Sequence, residues 1–392
     1  MTVRTGLEGL REGDFRLLTG QRVGLMSNPS AVDQELRSTY DIFREAAAVD
    51  LVALFAPEHG FAAAAPDAEH IATTTDVRTG LPLYSLYGET RRPSVEMMNM
   101  VDIIVCDIQD VGVRYYTYIW TISHILEAAG KHGVSVVILD RPNPLGGHVI
   151  SGPSLEPQLE SFVGRFPVPV RHGLTVGELA QMINDNWNPT PAQITVVQCQ
   201  GWQRAMMWNK TGLLFVPPSP NIPAFETVLH YPGACLVEGT QLSEGRGTAL
   251  PFQVVGAPWL DASELADHLN AQDWPAVRFR PHTFQPTSSK WAGEYCQGVQ
   301  AHIIDQEQWL PLTVWLGVVR QIRMFYPEQF EWLPPFGPGV ESGPVYHFDR
   351  LIGSETVRHQ IDTGVPLAEI MAGWDTICGE FDEKRQSFLL YD

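Results

Sequence analysis

Four short apolar runs, in "RVGLMSNP", "DLVALFAPEHG", "VDIIVCDIQD" and "VSVVILDRPNPLGG", each break off at a polar residue, and this recurrence constrains the fold most. Runs of this length with almost no polar interruption suit strands buried on both faces. They end at Ser27-Asn28, Glu58, Asp107 and Asp140. Helical periodicity separates them. Glu35 to Ala48 reads as one helix, and Ile122, Ile125, Leu126 and Ala129, at i, i+3, i+4 and i+7, mark another that "GKHG" closes. Strands alternating with helices predict βαβ units, a parallel sheet and an α/β first half.

"FVPPSPNIPAF" interrupts this rhythm with four prolines. It sets an expected boundary between residues 1–226 and 227–392. Beyond it the pattern turns α+β. A short helix is expected at Ser263 to Leu269. Longer helical stripes run through Leu312, Leu316, Val319 and Ile322, and through Leu367, Ile370, Met371, Trp374, Ile377 and Phe381. "GVQAHIID" and "SFLLY" read as strands. At 392 residues and 44% hydrophobic content the chain has ample material for two cores.

The net charge of −19, with no Lys/Arg-rich block, argues against nucleic acid and anionic membranes as partners. Five scattered cysteines, none in a CxxC pair, predict neither a disulfide framework nor a thiolate zinc site. The opening "MTVRTGLEGLREGDF" has no apolar signal-like core, so the chain as written is expected in the cytoplasm. A removed signal peptide would make it periplasmic or secreted.

Ligands of open parallel sheets bind beyond the carboxyl ends of the strands. Glu58, Asp107 and Asp140 all fall there. His59, Gln109, Asp110, Arg114, Arg141 and Asn143 follow them in sequence. Asp and Asn also open loops for purely structural reasons, so each alone is ambiguous. Glu58 is the stronger candidate, because glutamate has no special turn role. A carboxyl in a partly apolar pocket can serve as a general acid.

Three readings compete at "PEHG": a glycosidase acid, a metal site drawing on His59, Asp67 and His70, or an ordinary strand-to-loop turn. No HExxH spacing supports the metal, no GxSxG elbow a serine hydrolase, and no GxGxxG or GxxxxGK[ST] a nucleotide cofactor. No cofactor is expected. "VGVRYYTYIW" sets Arg114 beside Tyr115, Tyr116 and Tyr118, which suits a sugar carrying a carboxylate or, equally, a packed aromatic cluster. "VEGTQLSEGRGTALPF" sets Glu238, Glu244 and Arg246 among glycines, and prolines stiffen the chain around Asn221.

The segments "APEHGF", "TGLPLYSLYG", "DIQDVGVRYYTYIWT", "LDRPNPLGG", "SFVGRFPVPVRHGLTVGELA", "PSPNIP", "YPGACLVEGTQLSEGRGTALPF" and "GAPWLD" together resemble the exo-β-N-acetylmuramidase family of glycoside hydrolases. The resemblance runs from about Val23 to "SFLLY". It implies a Rossmann-like N-terminal domain, a smaller α+β C-terminal domain, and a cleft between them. It also implies release of N-acetylmuramic acid from non-reducing ends of peptidoglycan fragments during cell-wall turnover or recycling.

The glutamate of the PEHG motif is Glu58, with Asp107 and Asp110 as further catalytic candidates. His59, Arg114, Tyr116, Asp140, Arg141, Asn143, Asn221, Glu238, Glu244 and Arg246 fall in the other matching motifs as candidate substrate-binding residues. One departure is visible. The family pattern continues PEHGF with arginine and glycine, whereas Phe61 here leads into Ala62 to Ala65. The readings set against a muramidase are a non-catalytic muropeptide-binding protein and a metal-dependent hydrolase.

Overall fold

Apolar runs buried on both faces build the central sheet. A computed structural model describes residues 2–65, 72–88, 90–272, 274, 276–334 and 345–392. Its first six strands are β1 (Arg22–Ser27), β2 (Asp50–Ala56), β3 (Thr74–Thr75), β4 (Pro82–Ser85), β5 (Ile103–Asp107) and β6 (Ser135–Leu139). The others are β7 (Ser151–Ser154), β8 (Pro169–Arg171), β9 (Ile194–Val197), β10 (Val254–Ala257), β11 (Val277–Phe284) and β12 (Cys296–Ile303). Two units form: Met1–Ile150 with His172–Phe225 and Phe381–Asp392, and Ser151–Arg171 with Glu226–Glu380.

The first unit carries a seven-stranded sheet in the order β3-β4-β2-β1-β5-β6-β9. All its pairings are parallel except β3 with β4. Counting only the parallel strands in chain order, this is the doubly wound 3-2-1-4-5-6 arrangement. The α/β expectation therefore holds. One face is covered by Leu7, Leu10, Leu18 and Phe43, which pack on Val23, Leu25, Leu54, Val105 and Leu139. Each such buried side chain contributes roughly 1.5–3 kcal/mol.

The helix Tyr118–His132 buries Ile122, Ile125, Leu126 and Ala129, as the spacing predicts. It ends where Gly133 turns left-handed at φ 68° and its amide bonds the Ala129 carbonyl. The helix expected from Glu35 is shorter, Thr39–Glu45. Asp33 Oδ1 accepts the amides of Glu35 and Arg37 at 3.0 and 2.8 Å, fixing a turn first. Ser38 then caps the helix by accepting the Asp41 amide at 3.0 Å.

In the second unit β10, β12 and β11 form an antiparallel sheet, and β7 pairs with β8. Helices Ala262–Asn270 and Pro311–Phe325 match expectation, the latter burying Leu312, Leu316, Val319 and Ile322. The last stripe is split into Leu367–Ile370 and Trp374–Arg385, with Gly373 at φ 88° between them. "SFLLY" is not a strand. It is a 3-10 turn, Gln386–Phe388, running into an extended end, and it belongs to the first unit. Among the described residues no helix is long and apolar enough to cross a membrane.

Candidate active site

In the first unit the strand order reverses between β1 and β5, and the carboxyl edge at such a reversal is where doubly wound sheets bind ligands. Asn28 follows β1 there, Glu58 follows β2, and Gln109 and Asp110 follow β5. Sequence order alone scatters these residues; the topology collects them along one edge.

Glu58 sits in a tight turn. The Gly60 amide bonds the Pro57 carbonyl at 3.0 Å, with His59 at φ 66° and Gly60 at φ 78°. A left-handed histidine is uncommon and is held only by firm surroundings. Its Nδ1 bonds the Ala65 carbonyl at 2.8 Å, and its own carbonyl accepts the Ala64 and Ala65 amides. His59 thus folds the alanine segment back on the turn. The Glu58 carboxylate accepts the Thr117 hydroxyl at 2.5 Å. The half-buried Arg91 lies in the field of Glu58, with its guanidinium 5.7 Å from the Tyr87 ring centroid. Burial lowers the Arg91 pKa, while Tyr87 and Glu58 pull it back up.

Asp110 lies beyond the end of β5. Its Oδ1 accepts the Gly112 amide at 2.6 Å. Its Oδ2 is buried with no hydrogen-bond partner among the described residues. Burial pushes its carboxyl up to about 7, against the pull of the Gly112 and Val111 amides. Gly112 itself, at φ 77°, leaves no room for a side chain: a Cβ would lie 2.3 Å from Asn143 Oδ1. Beside it the Tyr116 and Tyr118 rings meet edge to face at 4.7 Å. Tyr118 donates to the Pro218 carbonyl at 2.6 Å, and Asn28 Nδ2 donates to both Tyr118 and Pro218. Ser219 lies near the Tyr116 hydroxyl, and half-buried Asn221 lies within the same Ser219–Ile222 turn. The Tyr118 hydroxyl feels both Glu58 and Asp110, so the two acids share one neighbourhood.

The other candidates are placed differently. Glu58 and Asp110 each keep 7% exposure, but Asp107, Asp140 and Arg114 keep 0%. Asp107 forms a bidentate pair with Arg141, at 2.6 and 3.0 Å, and accepts the Thr39 hydroxyl. Asp140 accepts Thr175 Oγ1 at 2.7 Å and the Gly177 amide at 2.8 Å, which fastens the start of the helix Val176–Asn186. Its carboxyl, raised by burial to about 6, also takes the Tyr391 hydroxyl at 2.6 Å. Asn143 Nδ2 donates to the Leu174 carbonyl at 2.9 Å. These groups brace the loops from within.

Glu238, Glu244 and Arg246 belong to the second unit and form their own network. Arg246 reaches Glu238 at 2.5 Å and Glu244 at 3.0 Å, and Lys290 meets Glu244 at 2.7 Å. Burial would raise the Glu238 carboxyl, but Arg246 and His347 overcome it and hold it below the usual carboxylate range.

Sequence reasoning missed Asn28, Arg91, Thr117 and Ser219 as partners. Thr117 lies inside the quoted "VGVRYYTYIW", and Arg91 follows directly on "TGLPLYSLYGET". Among the described residues no group of three or more His, Cys, Asp or Glu gathers as a metal site. Asp67 and His70 lie outside the described residues.

Two family models match the chain, one described as "Exo-beta-N-acetylmuramidase NamZ, N-terminal" over residues 23–226. The other, its C-terminal counterpart, covers residues 229–391. The chain is 41% identical over 389 residues to the peptidoglycan beta-N-acetylmuramidase NamZ of Bacillus subtilis (strain 168), covering 99% of this chain and 91% of that protein. Two crystal structures of DUF1343 family proteins from Bacteroides fragilis NCTC 9343 are also similar. One aligns at TM-score 0.90 and 37% identity over all of both chains. The other aligns at TM-score 0.77 and 31% identity, over 100% of this chain and 99% of that one.

Proposed function

Because this chain belongs to the NamZ exo-β-N-acetylmuramidase family of glycoside hydrolases, we propose that it releases N-acetylmuramic acid from the non-reducing ends of peptidoglycan fragments, with Glu58 as general acid. The observation that carries the residue assignment is the setting of Glu58. It stands at the carboxyl edge of the sheet, nearly buried, and is oriented by the 2.5 Å bond from Thr117. A general acid needs a fixed direction toward the leaving oxygen, and the Thr117 hydroxyl helps to fix it. His59 contributes by shaping the turn.

The lactyl carboxylate of muramic acid calls for a cation. Arg114 is enclosed and Arg141 is held by Asp107, whereas Arg91 is half-buried and lies in the field of Glu58. We assign it the lactyl group, in place of the arginine that the Ala62–Ala65 segment lacks.

The test is nitrophenol release from para-nitrophenyl β-N-acetylmuramide, set against the matching glucosaminide. Wild-type protein is expected to cleave the muramide. Glu58→Gln should lower kcat about a thousandfold with its melting temperature kept. Unchanged turnover in that variant sinks the assignment. Arg91→Ala should raise KM for the muramide about tenfold and leave the glucosaminide unaffected. Equal losses on both sugars would remove Arg91 from lactyl recognition.

A further inference from the structure

Glycoside hydrolysis needs a second group besides the acid. Asp107 ends β5, Asp110 lies three residues beyond it and Asp140 follows β6, and their surroundings separate them. Asp107 spends both oxygens on Arg141 and Thr39, and Asp140 spends both on Thr175, Gly177 and Tyr391. Both are fully enclosed, while Asp110 is buried but keeps 7% exposure. It is anchored on one side only, by the Gly112 amide on Oδ1. Oδ2 is left buried and unpartnered among the described residues. A buried carboxylate oxygen without a donor is expensive, and native structures keep one where a ligand supplies the donor.

Resting on the muramidase reading above, we infer that Asp110 Oδ2 receives the N–H of the sugar's 2-acetamido group, so that the acetamido oxygen, and not a protein carboxylate, is the nucleophile. The neighbouring Tyr118 hydroxyl, which feels both carboxylates, is spent on Pro218 and Asn28, so it leaves Oδ2 for the amide. Burial favours the same role, because a carboxyl raised to about 7 is basic enough to take up an amide proton as the ring closes.

The atoms balance as follows. The acetamido oxygen bonds to C1 while the bond from C1 to the leaving oxygen breaks. That oxygen keeps the electron pair and takes the Glu58 proton. The amide proton passes to Asp110, leaving a neutral oxazoline. Water then bonds to C1 and gives a proton to Glu58. The oxazoline C1–O bond opens back to the amide, and Asp110 returns the proton to nitrogen. Two displacements at C1 give net retention.

Two measurements use the wild-type protein. Proton NMR of para-nitrophenyl β-N-acetylmuramide cleavage should show the β-anomer of the free sugar first. Replacing N-acetyl by N-fluoroacetyl, N-difluoroacetyl and N-trifluoroacetyl should lower kcat steeply with each fluorine, because each weakens the amide oxygen. A third uses Asp110→Asn, which keeps an oxygen for the Gly112 amide but offers an N–H where Oδ2 accepted. It should lose about a hundredfold or more in kcat with little change in KM, and its fluorine dependence should flatten. The α-anomer first, a flat fluorine series in wild type, or wild-type kcat in Asp110→Asn overturns this inference and leaves the muramidase reading standing. No release from the muramide by wild type overturns both.

Discussion

Aspartates of one residue type occupy three different physical situations within the first unit. Asp107 is neutralised by an arginine, Asp140 is saturated by hydroxyls and two amides, and Asp110 has half of its carboxyl without a partner among the described residues. The third has a consequence for stability. Its carboxyl is raised from 3.8 in the free side chain to about 7 in the folded protein. The folded state therefore holds the proton more tightly than the unfolded chain. The stability this provides is fully present below 3.8 and is lost as pH climbs through about 7. Asp110→Asn escapes that loss. Its melting temperature should exceed that of wild type by a margin that grows from pH 4 to about 7 and then levels off. A margin independent of pH would show that Asp110 does not titrate in this window.

At the scale of elements, the parallel sheet was legible because its strands are uninterrupted apolar runs, and the helix Tyr118–His132 because its spacing and glycine stop agree. The helix starting at Thr39 was over-extended, because the turn chemistry of Asp33 and Ser38 overrode an apolar pattern that runs further. "SFLLY" misled because period and composition cannot distinguish a strand from an extended tail that bonds through side chains and single amides. For the candidate site, Glu58 was singled out in the sequence because turns rarely need a glutamate, and its place after β2 at the carboxyl edge was legible from the apolar run before it. The division of labour among Asp107, Asp110 and Asp140 was not, since it depends on which partners the sheet order brings alongside. The pair Asp107–Arg141 joins the ends of β5 and β6, and Thr39 adds the helix Thr39–Glu45 to them. Asp107→Asn strands a buried guanidinium and should cost about 3–5 kcal/mol in urea unfolding. Wild-type stability with lost turnover would instead return Asp107 to the chemistry.

On the scale of the whole molecule, the first unit is assembled from three stretches of chain, and the last, Phe381–Asp392, is only a tail. It is nonetheless tightly engaged. Arg385 donates to the Gly147, His172 and Gly173 carbonyls, Leu390 bonds Glu178 at 2.8 Å, and Tyr391 bonds Asp140 at 2.6 Å. Ending the chain after Lys384 should lower the melting temperature by about 2 °C or more, the scale of losing about 2 kcal/mol or more in a protein of this size. An unchanged melting temperature would make the tail an ornament of the fold.

The same arrangement orders events during synthesis. Everything in the second unit leaves the ribosome before Phe381 does, so that unit is complete while the first still lacks its closing segment. A ribosome that stalls between Phe381 and Leu390 therefore yields a chain whose Asp140 and Glu178 lack late partners. The bonds to Asp140 and Glu178 are therefore completed only once the chain has been made through Tyr391.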